Sequence, residues 1–172
     1  MSISNSISKM RSGVIGSAAY FGPIRAMSKI LKSDDQTDNV FGRAFTLNAD
    51  DTAAAGGART FIGILSNPHA YAVDSTYIEN GQSGEFIHMG EVFVKLEPAV
   101  VSGATAAVPA VGDAVYYTSA GVLTADATDK DTVAVAHNKI QGAMITRHAP
   151  VVDTDGNYIA VVSLTGLQKP IA

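Results

Sequence analysis

From Asp34 onward the chain consists of short apolar or alternating runs separated by turn residues every eight to fifteen positions. Side chains alternate between the two faces of a β-strand, so runs of this kind, broken by Gly, Pro, Asn and Asp, are typical of sandwiches and barrels. The pattern predicts an all-β body over residues 36–172, built as a small antiparallel β-barrel or β-sandwich. Residues 1–35 are predicted to form an extended N-terminal arm. The predicted strands are 40–47, 60–65, 86–96, 114–118, 121–124, 139–146 and 158–164.

Two turns support antiparallel pairing. Gly121 stands where the hairpin between the fourth and fifth predicted strands needs a positive φ, and the pair Asp155-Gly156 is favoured between Val152 and Tyr158. The ranges 48–57 and 102–112, rich in Ala and Gly, are predicted to be surface loops.

Composition excludes several classes of protein. The chain has 172 residues, enough for one ordinary domain with one substantial core. Charged residues make up 16% and hydrophobic residues 47%, a balance that is inconsistent with disorder along the whole chain. The chain has no Cys, which excludes disulfides, thiolate zinc sites and a cysteine nucleophile. No uninterrupted apolar stretch reaches the roughly 20 residues of a membrane-spanning helix.

Charge is distributed unevenly. Residues 1–33 hold five bases and no acid, a net charge of +5, whereas residues 34–172 hold seven bases against sixteen acids, a net charge of −9. This asymmetry indicates that the arm contacts an anionic partner: nucleic acid, a lipid surface or an acidic protein face. A nucleic-acid site would bring denser cations and more aromatics than Tyr20 and Phe21, and a membrane helix would bring a longer cationic amphipathic face. Contact with protein is therefore favoured.

One short helix is predicted within the arm. Pro23 suits a first helical turn, and Lys29 and Lys32 would lie favourably near the C-terminal end. The apolar residues at helical spacing are Ile24, Met27, Ile30 and Leu31. About ten residues make a marginal helix, so it must lie on a surface, either the chain's own barrel or a partner.

The residue patterns offer no anchor for catalysis, a cofactor or a metal. The four histidines lack HxH or HExxH spacing and lie in separate segments: His69, His88, His137 and His148. A nucleophile elbow, a phosphate-binding loop and a dinucleotide fingerprint are all missing from the sequence. The segment DTDGN at 153–157 is similar to the start of a calcium loop but lacks the bidentate Glu, and a hairpin turn explains each of its residues.

Six short motifs follow one another between residues 40 and 165. They are FGRAF from Phe41, FIGIL from Phe61, GEVFV from Gly90, GDAVYY from Gly112 leading into GVLT from Gly121, GAM from Gly142, and AVVSL from Ala160. In this order they resemble the capsid decoration proteins of tailed bacteriophages, often termed structural cement proteins. The GDAVYY hairpin followed by GVLT is the strongest part of the resemblance.

The resemblance implies a non-enzymatic virion protein, made in the host cytoplasm, that lies on the outer surface of the phage head. It would bridge neighbouring major capsid proteins and stabilise the expanded capsid, often as a homotrimer, without cofactor, direct nucleic-acid contact or membrane. Capsid contacts are expected from nine arm residues: Lys9, Arg11, Ile24, Arg25, Met27, Lys29, Ile30, Leu31 and Lys32. A tail, baseplate or head-fibre component and an unrecognised hydrolase are the alternatives.

Overall fold

The computed structural model describes residues 14–20, 22–67, 77–97, 108–127 and 136–166. Over these ranges the all-β prediction is confirmed, with nine strands and one 3-10 turn at Gln36–Asp38. The strands are β1 (Arg25–Ile30), β2 (Ala44–Leu47), β3 (Ala53–Ala55), β4 (Phe61–Leu65), β5 (Ser83–Glu97), β6 (Ala114–Tyr117), β7 (Leu123–Thr124), β8 (Asn138–Val152) and β9 (Tyr158–Thr165). No helix in this part of the chain is long and apolar enough to cross a membrane.

Five of the strands close into a barrel. β5 pairs with β9, β9 with β8, β8 with β6 and β6 with β7, and β7 pairs in parallel with the end of β5. The apolar cluster in its interior includes Val92, Val94, Ile140, Ile145 and Val162, all fully buried, and it extends to side chains of β2 and β4. Burial of such side chains contributes roughly 1.5–3 kcal/mol each relative to exposure.

The first half of β5 belongs to a smaller part of the same nine-stranded sheet, in the order β3-β2-β4-β5-β1. Its outer strands meet at one parallel bridge between Leu31 and Ala53, where the Lys32 N–H donates to the Ala53 carbonyl at 2.7 Å. This part of the sheet thus curls around its own apolar cluster, in which Leu31, Phe45 and Phe86 are fully buried. We term this region the N-terminal lobe and the closed ring the barrel.

The turn between β6 and β7 joins the barrel to the N-terminal lobe. Gly121 adopts the predicted positive φ, 77°. Its carbonyl accepts the Ala44 N–H at 2.8 Å, and the Ser119 carbonyl accepts the Gly57 N–H at 3.2 Å. A Cβ at position 121 would lie 2.4 Å from the Ala44 carbonyl oxygen, so this site needs glycine for space as well as for backbone conformation.

The helix predicted in the arm is wrong. Arg25–Ile30 form β1, which pairs antiparallel with β5. Ala26, Ser28 and Ile30 are exposed while Met27 and Lys29 are half-buried, the two-residue alternation of a strand. Because so short a helix has little stability of its own, the backbone hydrogen bonds offered by β5 decide the conformation.

The predicted strands all occur, with shifted ends. β2 begins four residues later than predicted and β8 runs six residues further. The prediction of a surface loop over 48–57 is wrong in part, because β3 lies within that range and Ala53 is fully buried. Of the predicted loop 102–112, residues up to 107 lie outside the described ranges.

Candidate functional site

The nine predicted contact residues are placed in different environments. Lys9 and Arg11 lie outside the described residues. Ile24 and Ile30 are exposed at 40% and 47%. Met27 packs half-buried against the apolar cluster of the N-terminal lobe, and Leu31 is fully buried within that cluster. The boundary between arm and body at residue 35 stays a prediction, but Leu31 is a core residue of the lobe.

Two of the arm's cations are bound to carboxylates of the chain itself. Lys29 Nζ lies 2.6 Å from Asp51 and Lys32 Nζ lies 2.7 Å from Asp50. Hydrogen bonds from Lys32 and from Thr52 hold the pKa of the Asp50 carboxyl well below its ordinary value. Both acids lie in the turn between β2 and β3, so these ion pairs fasten β1 to that hairpin and neutralise part of the arm's charge.

The outer face of β1 remains open. It consists of Ile24, Ala26, Ser28 and Ile30, which alternate along an edge strand whose pairing partner among the described strands is β5. Arg25, also exposed, makes no ion pair with any residue that the structure describes. β1 therefore offers small and apolar side chains on its outer face and, at the neighbouring position 25, a cation without an ion pair among the described residues, a composition suited to contact with protein.

Residues 14–20, which we term the strap, lie along the middle of β5. The Gly16 and Ala19 N–H groups donate to the carbonyls of Phe93 and Glu91, both at 2.8 Å, and the Phe93 N–H donates to the Ser17 carbonyl at 2.9 Å. The strap thus adds a short strand to β5, with Ala18 opposite Val92. The sequence pattern does not indicate this pairing, since Gly, Ser and Ala carry little β propensity.

The strap begins at an open cleft. The cleft has a volume of about 590 Å³ and is lined by Val14, Phe41, Val122 and Arg43, among others. Arg43 forms an ion pair with Asp38, so its guanidinium is already engaged. The lining combines apolar and charged side chains.

Further apolar residues are exposed on the barrel, outside the arm to which the predicted capsid contacts were confined. They are Val108 and Val111 before β6, Met144 on β8, and Val151 and Val152 near the end of β8. The alternation of β8, in which Ala143 and Ile145 are buried, is a signal that identifies Met144 as an outward residue.

The histidines do not assemble. His69 lies outside the described residues, His88 is half-buried, His137 Nδ1 lies 2.9 Å from the Asp126 carbonyl oxygen, and His148 Nε2 lies 2.7 Å from the Tyr20 hydroxyl. Within the described ranges no three His, Asp or Glu side chains group as metal ligands would.

The hairpin prediction at Asp155-Gly156 is confirmed. Asp153 Oδ1 accepts the N–H groups of Asp155 and Asn157 at 2.9 and 2.8 Å, and Lys95 forms ion pairs with Asp153 and Asp155. The carboxylates at this turn are therefore occupied by hydrogen bonds and by an ammonium group of the chain itself.

Comparison with known proteins agrees with the motif order. A family model described as structural cement protein (E217 gp24/Pam3 gp6) matches residues 3–165, nearly the whole chain. No curated protein matches the sequence. The match includes the strap, β1 and the residues that precede them, as well as the barrel.

Proposed function

The chain belongs to the structural cement protein family of bacteriophages and has a structural role in the virion, and from this premise we propose that it binds the outer surface of the phage head. There it bridges neighbouring major capsid proteins and stabilises the expanded capsid. The family match over residues 3–165 is the observation that carries the proposal. We further propose that the protein acts without catalysis or cofactor and that its copies associate, as trimers or as lattice neighbours.

The outer face of β1 is the first candidate for the capsid contact. Ile24 and Ile30 offer apolar area, and Arg25 offers a charge that the described part of the chain does not neutralise. Apolar contacts at the centre of an interface contribute most to affinity, whereas a charge at its rim mainly raises the association rate. Lys29 and Lys32 act within the chain, through Asp51 and Asp50.

Bridging explains how a small β protein stabilises a shell. A ligand that binds only the assembled lattice opposes its dissociation by mass action. Several weak contacts give strong attachment when the geometry lets them engage together. The thirteen residues before Val14 extend the reach by up to about 43 Å, at ~3.3 Å per residue, enough to contact a neighbouring subunit.

Thermal disruption of heads tests this proposal. Purified protein is titrated into undecorated, expanded heads, with unassembled major capsid protein as the control partner. We expect saturable binding to heads, negligible binding to the unassembled subunit, and a disruption temperature that rises with occupancy. A folded protein that leaves the disruption temperature unchanged at saturating concentration would contradict the proposed function.

A further inference from the structure

One stretch of β8 departs from regular pairing on the side of the barrel that holds the strap. Thr146 pairs with Val161 and Val151 pairs with Ile159, so residues 147–150 of β8 stand opposite a single residue of β9. We term residues 147–150 the excursion. Arg147, its first residue, has a φ of 65°, a left-handed conformation that is uncommon for a residue other than glycine.

The side chains of the excursion contact the strap and β5. Arg147 Nε donates to both carboxylate oxygens of Glu91 at 2.8 Å, and the guanidinium carbon lies 4.5 Å from the centre of the Tyr20 ring. His148 Nε2 lies 2.7 Å from the Tyr20 hydroxyl oxygen. Tyr20 is the last residue of the strap, and the Glu91 carbonyl accepts the N–H of Ala19 beside it. Four side chains from three elements therefore converge on one end of the strap.

These contacts explain a conformation that the barrel itself does not need. Positive φ is unfavourable at a residue with a Cβ and persists only where the surroundings determine it. A regular β8 would continue its ladder with β9 and would gain hydrogen bonds. The excursion instead brings Arg147 and His148 close to Tyr20. Tyr20 is the last residue of the strap and directly follows the three backbone hydrogen bonds that join the strap to β5.

We propose that Tyr20, Glu91, Arg147 and His148 form a clasp that fastens the strap to β5 and thereby fixes the position of Val14, from which residues 1–13 reach the head. The clasp holds the Tyr20 end of the strap, and the backbone hydrogen bonds of Gly16 and Ser17 with Phe93 extend that attachment toward Val14 at the cleft. This part of the inference rests on the proposed function, since it assumes that residues 1–13 contact the head. A pre-positioned arm loses less conformational freedom on binding than an unfastened one.

A spin-label distance measurement tests the clasp without any head. Because the chain has no Cys, the full-length double variant Val14→Cys and Thr154→Cys can be labelled at these two exposed positions alone. We expect a narrow distance distribution in the parent and a clearly broader one in Tyr20→Ala and in Arg147→Gly. Arg147→Gly removes the contacts with Glu91 and Tyr20. Because glycine adopts a positive φ without strain, this variant is expected to keep the fold. Tyr20→Phe removes only the hydroxyl contact with His148 and should give an intermediate width.

A matched control exists on the barrel. Lys139 lies over the Tyr116 ring, 5.9 Å from its centre, in a second cation–aromatic pair that involves neither the strap nor the excursion. Tyr116→Ala should leave the distribution narrow. Distributions that stay narrow in both Tyr20→Ala and Arg147→Gly, or that broaden as much in Tyr116→Ala, would overturn the clasp.

Head binding then tests what the clasp does for the arm. Tyr20→Ala and Arg147→Gly should lower the affinity for undecorated heads by about tenfold, through lost pre-organisation. In a full-length background carrying Ile3→Ser, Ile7→Ser, Lys9→Ser and Arg11→Ser the same changes should cost less than about threefold, since the arm no longer contributes. An equal loss in both backgrounds would show that these residues act on the body and would overturn the directing role. If the parent itself does not bind heads, the proposed function fails, while the distance distributions still decide the clasp.

Discussion

The barrel and the N-terminal lobe are closed in different ways. In the barrel, each strand of the ring is joined to the next by backbone pairing. The pairing of β5 with β9 extends over eight residues. In the lobe, β1 and β3 meet at the single bridge between Leu31 and Ala53. Two ion pairs, from Lys29 to Asp51 and from Lys32 to Asp50, lie beside that bridge. The lobe is therefore complete only when the arm residues that follow the strap are in place.

This difference gives part of the predicted arm a structural role. β1 and Leu31 are structural members of the lobe, so removing residues 1–33 would remove a strand and a core side chain together. Residues 1–13 lie outside the described part of the chain, and their contact with the head is a proposal. A test of docking by the arm should therefore alter residues 1–13 and leave β1 intact.

The largest effect is expected from truncating the core residue at the lobe's closure. Leu31→Ala should lower the free energy of unfolding by about 3 kcal/mol, because a fully buried Leu loses its packing and leaves a cavity. Hydrogen exchange should show the loss in the amides of β2 and β4, with the β8–β9 amides of the barrel less affected. Leu164→Ala, inside the barrel, is the matched control and should show the reverse pattern. Equal losses throughout the chain in both variants would mean that the two regions open as one unit.

A smaller effect is expected at the junction between the two regions. Gly121→Ala should cost about 2 kcal/mol, since the new Cβ would meet the Ala44 carbonyl oxygen at a backbone conformation that already disfavours side chains. Gly156 has a similar φ, 83°, but nothing lies within 4 Å of the site of its Cβ. Gly156→Ala should therefore cost only about 1 kcal/mol. Denaturant unfolding measures the loss of unfolding free energy in both variants. Equal losses would contradict the close contact between Gly121 and Ala44 at the junction.

The same comparison shows which elements could be predicted from the sequence. The barrel strands have Val, Ile, Tyr and Phe in alternation, so their local pattern and their tertiary environment agree. β3 is Ala53–Ala55, a sequence with little β propensity, and it forms because β2 and Leu31 supply partners. β1 has apolar spacing that also fits a helix, and pairing with β5 overrides it.

The candidate site was also predictable only in part, because its contacts join residues that are far apart in the sequence. The concentration of cations in residues 1–33 is visible in the sequence, but Lys29 and Lys32 meet partners 22 and 18 residues away. The clasp joins Tyr20 to His148 across 128 residues and depends on a positive φ that no local signal at Arg147 indicates. Contacts of this range follow from topology, which spacing rules do not supply.

Arg25, which has no ion pair among the described residues, is expected to affect head binding more than the paired Lys32. Arg25→Ala should slow association with undecorated heads by up to about fivefold at low salt, within the 0–1 kcal/mol of an exposed charge, with the difference disappearing at high salt. Lys32→Ala should change the rate less, since Asp50 already neutralises that ammonium. Stopped-flow light scattering measures the rates. A larger effect of Lys32→Ala than of Arg25→Ala would contradict the division of roles.

The smallest effect concerns pH. Because the pKa of Asp50 in the folded protein is held below its unfolded value near 3.9 by Lys32 and Thr52, ionised Asp50 favours the folded state above about pH 4. That contribution is lost as the pH falls through the lower, folded-state pKa. The difference in unfolding free energy between the parent and Asp50→Asn should therefore shrink as the pH is lowered from 5 to 2. A difference in unfolding free energy that stays constant from pH 5 to pH 2 would show that ionised Asp50 does not stabilise the folded protein.

A cryo-electron microscopy reconstruction of undecorated heads saturated with the purified protein would show whether each copy bridges capsid subunits. We expect density for the barrel and the N-terminal lobe at symmetry-related sites over the whole outer surface, with each copy touching at least two major capsid subunits and the outer face of β1 against one of them. Density confined to a single vertex, or to the tail, or bound heads in which each copy touches one subunit alone, would contradict this expectation.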